Sequence, residues 1–349
     1  MTAQRRYAVL AEGCFDEDAK TATGVMRYSD SPTVAVIDST RAGTVAADHV
    51  PGLAQDVPVV ADVEAAMDHS PTTLLIGVAP AGGKLPPDFR RSILQAIERG
   101  LDVESGLHEF LSDDAEISAA AERAGVGLRD LRRVPDGLDV PTGANIAAKT
   151  HTVLTVGSDC ALGKMTVCLE LHREARRREL ASVFVPTGQT GIAIAGWGIA
   201  VDEVVSDFVA GAAEQLVIEG QARGGEGAIL WIEGQGSLNH PYYSGVTLGL
   251  LHGSAPHAMV FVHEPGRELI EDDPRYPIGS LPELIDDQVR MARHVRPAPV
   301  VAVALKTNRI SEDAAREAID QTERQTGLVA DDPVRFGAGR ILDAVLSAR

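Results

Sequence analysis

The chain has 349 residues and a formal net charge of -18, from 32 lysines and arginines against 50 aspartates and glutamates. Such an acidic chain is repelled by nucleic-acid phosphates and by anionic lipid, which argues against a general nucleic-acid binder and against a membrane-surface protein. With 44% hydrophobic residues, 34 glycines and 19 prolines, the composition is typical of a globular protein, and the length predicts two domains.

The cellular compartment is predicted from three features that are absent from the sequence: a membrane-spanning run, a signal peptide and a disulfide framework. No apolar run approaches the roughly 18 residues of a membrane-spanning helix, and no long apolar core follows the basic start of the chain, so no signal peptide is predicted. Three cysteines provide no disulfide framework. These features predict a cytoplasmic protein. The acidic chain has only five lysines against 27 arginines, which is typical of salt-loving organisms, although a GC-rich genome alone explains it equally well.

Strand and helix patterns alternate through the first part of the chain. Short apolar runs rich in β-branched residues predict buried parallel strands at residues 7–11, 33–38, 73–78 and 101–105. Amphipathic patterns predict helices at residues 87–99 and 112–123. This alternation predicts a Rossmann-like α/β domain. A segment rich in Pro, Gly, Asp and Thr, residues 135–150, predicts a domain boundary, giving domains 1–145 and 146–349.

The alternation restarts after the boundary. Further strands are predicted at residues 152–156, 182–185, 228–232, 258–262 and 300–305, with helices at 164–178 and from 311. The fold class predicted for this half is a P-loop NTPase-like α/β domain with a mostly parallel sheet.

A glycine-containing loop between the strand at 152–156 and the following helix carries the strongest functional signal. Backbone N–H groups of such a loop, and the helix N-terminus behind it, bind phosphate, and Lys164 would reach the terminal phosphates. The predicted cofactor-binding residues of this loop are Gly157, Ser158, Asp159, Cys160, Ala161, Leu162, Gly163, Lys164, Met165 and Thr166.

The loop departs from the usual G-x-x-x-x-G-K-[ST] pattern. Ser158 occupies the first glycine position, and Met165 replaces the hydroxyl residue that normally ligates Mg²⁺. A thioether is too soft a ligand for magnesium, whereas Thr166 could serve if the helix start were shifted. The pattern therefore supports phosphate binding more strongly than metal-assisted phosphoryl transfer.

Other candidates follow strands of the same predicted sheet, at the edge where open α/β folds bind ligands. Glu233 ends an apolar strand, as an acid that holds metal or water beside phosphates does. His240 lies on a predicted site loop and is a candidate general base, although loop histidines are commonly structural. The remaining candidates are Asn308 for a nucleotide base, Gln189 and Gln235 for substrate, and Asp207, which with Thr166 and Glu233 completes the candidate metal ligands.

The loop sequence resembles that of a known enzyme. Residues 157–164 align without gaps with the G-T-D-T-x-V-G-K loop of dethiobiotin synthetase, and Glu233-Gly-Gln-Gly resembles its E-G-A-G strand end. This local resemblance implies a P-loop domain of the dethiobiotin-synthetase and ParA-like class.

A wider resemblance, to the DgcN family, covers nearly the whole chain. It rests on the phosphate loop together with segments 20–28, 36–39, 77–83, 105–108 and 233–241. It implies a Rossmann-like N-terminal domain, a C-terminal P-loop domain, and N-acetylation of D-glutamate with acetyl-CoA, the first step of D-glutamate catabolism. Lys20 and Arg27, on a predicted loop between the first two strands, would then bind the substrate carboxylates. Lys164, His240 and Glu233 would be the catalytic residues.

Alternatives remain open from the residues alone. An ATP- and Mg²⁺-dependent ligase or kinase acting on a carboxylate is the second hypothesis, and a nucleotide-sensing scaffold is the third. An oxidoreductase is disfavoured because no G-x-G-x-x-G follows the first strand, although Asp38 ends the second strand as a ribose-binding acid does. A small-molecule substrate and a homo-oligomer are expected.

Overall fold

The computed structural model describes residues 5–16, 19–53, 56–78, 85–271 and 273–349. The chain divides into two compact units: Met1–Arg133 with Gln189–Ala200, and Val134–Gly188 with Val201–Arg349. Each unit contains a six-stranded sheet whose strands pair in parallel throughout. The predicted α/β fold class is confirmed, and the sheet of the second unit is wholly rather than mostly parallel.

The first unit is a doubly wound sheet with strand order β3-β2-β1-β4-β5-β6. Its elements are β1 (Tyr7–Leu10), α1 (Lys20–Tyr28), β2 (Thr33–Ile37), β3 (Val59–Val60), α2 (Val63–Met67), β4 (Thr73–Ile76), α3 (Pro87–Glu98), β5 (Asp102–Ser105), α4 (Ala115–Ala124) and β6 (Leu128–Asp130). All four residues of β1 are buried, as a central parallel strand requires.

The second unit has strand order β12-β11-β10-β7-β9-β8. Its elements are β7 (His151–Gly157), α5 (Lys164–Arg177), β8 (Ser182–Val185), α7 (Val209–Gly224), β9 (Ile229–Ile232), α8 (Ser244–Ser254), β10 (Ala258–His263), α9 (Leu281–Ala292), β11 (Val300–Leu305), α10 (Glu312–Thr326), β12 (Val329–Asp331) and α11 (Gly339–Ser347). The intervening helix, α6 (Gln189–Ala195), belongs to the first unit. Because the chain leaves β7 toward β8 on one side and returns to β10 on the other, the loop after β7 lies at the switch point of the sheet.

One predicted loop is a helix. Lys20 begins α1 and Arg27 lies in its last turn. The prediction that these two residues lie on a loop between β1 and β2 is therefore wrong. The sequence between them contains threonines and a glycine, which have low helix propensity, but Thr21–Met26 are all buried and this packing outweighs the propensity. Both Lys20 and Arg27 are exposed.

Two further observations concern the described residues. None of their helices combines the length and the hydrophobicity that crossing a bilayer requires. Of the segment 77–83 used for the family resemblance, residues 79–83 lie outside the described part of the chain.

Candidate functional site: the loop after β7

The loop between β7 and α5 has the backbone of an anion-binding loop. Gly157 ends β7, and a Cβ added there would lie 2.8 Å from the carbonyl oxygen of Val262. Ala161 and Gly163 have positive φ angles of 52° and 89°, and α5 begins directly afterwards at Lys164. No side chain caps the N-terminus of α5. The first N–H groups of this helix therefore remain available to an anion, and the strand–loop–helix context predicted from the sequence is present.

Lys164 is buried inside this loop. The residue is 7% exposed, and its Nζ donates a hydrogen bond to the carbonyl oxygen of Asp159 at 2.7 Å. Burial lowers the pKa of Lys164 to about 8, against the opposing attraction of Cys160 and Asp159. A buried ammonium with a neutral hydrogen-bond partner favours the arrival of an anionic group.

Asp159 supports the loop from behind. Its buried carboxylate accepts hydrogen bonds from Arg267 Nη1 at 2.9 Å, from the Glu271 N–H at 3.0 Å and from the Cys160 N–H at 2.7 Å. These contacts hold the loop in place. Arg267 was not predicted, because it lies more than 100 residues along the chain and nothing in the local sequence marks it.

A second group of residues supports the same loop from the end of β10 and β11. Ser158 Oγ and His263 Nδ1 are 2.9 Å apart, and burial lowers the pKa of His263 to about 4, so its ring is neutral at pH 7. Lys306 Nζ donates to the carbonyl oxygen of Ala161 at 3.3 Å and lies 3.5 Å from the Glu264 carboxylate. The loop is thus fixed by charged and polar side chains of its own unit.

Glu233 is buried beside the loop, just past β9. Its Oε2 accepts hydrogen bonds from the N–H groups of Thr187 at 2.9 Å and Gly188 at 3.2 Å. Burial raises the pKa of Glu233 to about 7, against the lowering effect of these N–H groups and of Lys164. A carboxyl group with this pKa can accept or donate a proton near neutral pH.

A glycine brings Lys164 and Glu233 together. A Cβ on Gly234 would collide with the carbonyl oxygen of Thr155 and would lie 3.0 Å from Cδ of Lys164. The Gly234 N–H donates to Thr155 Oγ1 at 2.9 Å. The ends of β7 and β9 can approach this closely only because residue 234 has no side chain.

His240 lies against the loop. The residue is 1% exposed, and its ring packs on Tyr242 and Tyr243 with centroid distances of 5.5 and 4.6 Å. Its Nδ1 accepts a hydrogen bond from the Tyr242 N–H at 3.2 Å, so the neutral ring carries its proton on Nε2. Nε2 lies 3.9 Å from Asp159 Oδ1. In this arrangement His240 faces the loop as a hydrogen-bond donor.

Two polar residues that were not predicted connect the same loop to the segment after β9. Ser237 Oγ donates to the carbonyl oxygen of Gly157 at 2.9 Å, and Asn239 Nδ2 donates to that of Ser158 at 2.8 Å. Both lie in the Glu233–His240 motif, so the motif itself was the available signal. They fix the position of His240 relative to the loop.

The predicted metal ligands remain a prediction. The helix begins at Lys164, so the shifted start that would give Thr166 the position of the Mg²⁺ hydroxyl is absent, and Asp207 is exposed on a 3₁₀ turn. Among the described residues of the second unit, three side chains place atoms that could ligate a metal within 4.8 Å of one another: Asp159, Cys160 and His240. Arg267 and Lys164 beside this cluster add positive charge that opposes a divalent cation.

The other predicted residues occupy varied positions. Gln235 Nε2 donates to Thr187 Oγ1 at 3.2 Å, so this residue lies beside Glu233. Asn308 is exposed just beyond β11. Lys20, Arg27 and Gln189 belong to the first unit, where Gln189 begins α6 and Arg27 donates to the Pro51 carbonyl oxygen at 2.7 Å.

In the first unit, Asp38 occupies the place of a ribose-binding acid at the end of β2 but uses its carboxylate internally. It accepts hydrogen bonds from the N–H groups of Gly13 at 3.1 Å, Phe15 at 3.2 Å and Thr40 at 3.0 Å. Burial alone would raise the pKa of Asp38, but these bonds and the Thr40 hydroxyl outweigh it and lower the pKa. The carboxylate thus binds the protein's own loop where a dinucleotide would be recognised.

Comparisons with known proteins agree with this architecture. The family model described as "Domain of unknown function (DUF1611_N) Rossmann-like domain" matches residues 39–134, and "Domain of unknown function (DUF1611_C) P-loop domain" matches residues 139–342. A crystal structure at 2.30 Å of a DUF1611 family protein from Anabaena variabilis is 41% identical, with a TM-score of 0.92 over 98% of this chain and 99% of that one.

Two curated relatives have named activities. A D-glutamate N-acetyltransferase from Tritonibacter scottomollicae is 39% identical over 274 residues, which are 78% of this chain and 80% of the relative. A second D-glutamate N-acetyltransferase, from a Pseudoalteromonas species, is 34% identical over 273 residues, 77% of this chain and 80% of the relative.

Proposed function

The chain belongs to the DUF1611 family, and its curated relatives are named for the D-glutamate N-acetylation that the DgcN resemblance implied. On that premise we propose that it is an enzyme that transfers the acetyl group of acetyl-CoA to the amine of D-glutamate or a related amino acid. The observation that carries the proposal is the loop after β7, where a buried cation and a carboxyl group titrating near pH 7 lie beside unfilled helix N–H groups. The activities named for the two relatives support the choice of reaction.

The loop binds the anionic part of the donor. Acetyl-CoA offers phosphates in its ground state and a developing oxyanion at its carbonyl during transfer, and loop N–H groups with Lys164 can stabilise either. Neither use needs a hydrolysable nucleotide. Met165, at the position of the usual Mg²⁺ ligand, is compatible with such metal-free binding.

Glu233 is the base of the proposed reaction. The amine must lose a proton as its nitrogen forms a bond to the acetyl carbon and the carbon–sulfur bond breaks. A carboxylate whose pKa is raised to about 7 accepts that proton well at neutral pH. His240, which presents Nε2–H toward the loop, acts as a donor that stabilises negative charge.

An acidic amino acid also needs partners for its carboxylates. In the first unit, Lys20 and Arg27 of α1 are the cations proposed for this role, with the Gln189 amide as a further substrate-binding candidate. In the second unit, the Gln235 amide beside Glu233 is the candidate. Asn308 is proposed to contact the base of the CoA nucleotide. The acetylated product would enter D-glutamate catabolism in the cytoplasm of a salt-tolerant cell, with the enzyme acting as a homo-oligomer.

The test is product analysis by mass spectrometry. Purified protein is incubated at high salt with D-glutamate or L-glutamate, each with acetyl-CoA or with ATP and Mg²⁺. We expect N-acetyl-D-glutamate and free CoA from acetyl-CoA alone, lost in Lys164→Met. The matched control is Lys149→Met, because Lys149 is an exposed lysine of the same unit, paired with Glu226 and located before β7 begins.

The same experiment distinguishes the proposed acetyltransferase from an ATP-dependent enzyme. The resemblance of the loop and of Glu233-Gly-Gln-Gly to dethiobiotin synthetase favours that reading as the second candidate. ADP together with a phosphorylated or ligated glutamate would overturn the acetyltransferase proposal and establish the ligase or kinase in its place. No product from either donor would also contradict the proposal.

A further inference from the structure

We infer that Cys160 is a nucleophile that carries the acetyl group as a thioester between donor and amine. The inference rests on the proposed function and concerns the same loop. Cys160 follows Asp159 in the turn before α5, and its side chain is only partly buried, so a substrate can reach it. Its Sγ, a nitrogen of His240 and a carboxylate oxygen of Asp159 lie within 4.8 Å of one another.

Charges of both signs surround the Cys160 sulfur. The Asp159 carboxylate within 4.8 Å opposes a negative sulfur, but it is paired with Arg267 at 2.9 Å, and two further positive features favour a negative sulfur. The helix α5, of 14 residues, begins four residues after Cys160, at Lys164, and its amino end adds partial positive charge. The buried Lys164 ammonium interacts electrostatically with the same thiol. A thiolate is the reactive form of cysteine, and reactive cysteines occupy partly exposed, electropositive environments of this kind.

The other cysteine of this unit shows the contrast. Cys168 lies inside α5, is fully buried, and donates its thiol hydrogen to the carbonyl oxygen of Ile232 at 3.2 Å. Burial raises the pKa of Cys168. A neutral, inaccessible thiol cannot act as a nucleophile, so Cys168 is a matched control for Cys160.

His240 and Asp159 form a polar cluster with Cys160, although Asp159 lies on the Nε2 side of the ring and not on Nδ1, where the carboxylate of a catalytic triad lies. Tyr242 fixes the ring so that Nε2–H faces the cluster, and Arg267 fixes the Asp159 carboxylate. Nε2–H of His240 therefore faces both the Asp159 carboxylate and the Cys160 sulfur, and the ring is positioned by the Tyr242 N–H on Nδ1. His240 Nε2 and Asp159 Oδ1 are 3.9 Å apart, and such separations beyond hydrogen-bond length are common in catalytic sites without substrate.

The two half-reactions balance without another reactant. In the first, the Cys160 thiolate attacks the acetyl carbonyl carbon, an S–C bond forms, the S–C bond to CoA breaks, and CoA leaves as a thiolate. In the second, the neutral amine attacks the acetyl-cysteine carbonyl, an N–C bond forms, and Cys160 is released as a thiolate. The proton lost by the amine passes to the Glu233 carboxylate and then to water.

This assignment specifies which part of acetyl-CoA enters the loop. If Cys160 reaches the thioester, the loop N–H groups hold the carbonyl oxygen of the acetyl group, and the CoA phosphates lie outside the loop. A short thioester without phosphates, acetyl-N-acetylcysteamine, should therefore also acetylate Cys160. If the loop holds the phosphates instead, that compound should not react there.

The experiment is mass spectrometry of the intact protein after exposure to trideuteroacetyl-CoA, or to acetyl-N-acetylcysteamine, without amino acid. We expect one added acetyl group, mapped to Cys160, sensitive to hydroxylamine, and transferred to D-glutamate when that is added. Cys160→Ser and Cys160→Ala should abolish the label and lower kcat by about 100-fold or more, whereas Cys168→Ser should retain both. Parallel lines in double-reciprocal plots are expected for the full reaction.

The outcomes separate this inference from the proposed function. If wild-type protein makes N-acetyl-D-glutamate but Cys160 is never labelled and Cys160→Ser keeps its kcat, direct transfer is established and the covalent step is overturned. If no acetylated amino acid forms at all, the proposed function itself fails. Unchanged thermal unfolding of Cys160→Ser confirms that lost labelling is not lost folding.

Discussion

The carboxyl edges of the two sheets are built alike but used differently. In the first unit, the Asp38 carboxylate takes the N–H groups of Gly13 and Phe15 from the β1–α1 connection. In the second unit, the connection after β7 leaves its helix N-terminus uncapped and buries Lys164 beside it. No side chain caps either α1 or α5, so the difference lies in the charged group at each edge: the Asp38 carboxylate binds N–H groups of its own unit, whereas the Lys164 ammonium is placed to attract an anion. The strand order of a dinucleotide-binding fold therefore does not by itself make a binding site.

The largest effect is expected at Lys164. Lys164→Met removes the buried charge that stabilises an anion, and kcat/KM for acetyl transfer should fall about 10³-fold. Because burial lowers the pKa of Lys164, its charged form opposes folding at pH 7, so the variant should unfold at the same or a higher temperature. Steady-state kinetics measure the change in kcat/KM, and calorimetry measures the unfolding temperature. Full activity in Lys164→Met would show that the buried cation beside α5 does not bind an anion during the reaction, and the proposed difference between the two units would be wrong.

Glu233→Gln tests the base with an isosteric side chain that can still accept from Thr187 and Gly188. We expect kcat to fall about 10²-fold or more. Because the folded-state pKa of Glu233 is raised to about 7, its ionisation opposes folding as the pH rises through that value. The gain in thermal stability of Glu233→Gln should therefore be larger at pH 8 than at pH 5. An equal gain in thermal stability at both pH values would show that the pKa of Glu233 is not raised in the folded protein.

The pH dependence of the wild-type enzyme follows from the same two groups. As Glu233 loses its proton, kcat/KM should rise through about pH 7, and as Lys164 loses its proton it should fall above about pH 8. A pH–rate profile of Glu233→Gln should lack the acid limb while keeping the alkaline one. An acid limb that survives in this variant would assign the base to another residue.

The smallest effect on activity is expected in the first unit. Asp38→Asn weakens the hydrogen bonds to Gly13, Phe15 and Thr40 and should cost about 1–3 kcal/mol of the free energy of unfolding. Because the folded-state pKa of Asp38 is lowered, the carboxylate's contribution is present at neutral pH and lost in acid. Denaturant titration measures the loss, and kcat should not change. A large fall in kcat would mean that Asp38 contributes to a ligand site.

The site residues that could be predicted are those that lie close together along the chain. The loop 157–166 was recognisable because one strand, one turn and one helix carry it, and Glu233 was recognisable because it ends an apolar run. Arg267 and His263 were missed because they reach the loop only through the pairing of β10 with β7. The helix α1 was missed because burial of its small residues outweighed their propensity.

The membership of Gln189–Ala200 in the first unit has a consequence for synthesis. The buried hydroxyl of Thr21 lies 2.9 Å from that of Thr190, two residues of one unit separated by 169 positions of chain. A ribosome must therefore translate beyond Ala200, well into sequence that belongs to the second unit, before the first has all its residues. The first unit therefore cannot complete its contacts before the chain is made through Ala200, and a fragment ending at Arg133 would leave Thr21 without the Thr190 hydroxyl.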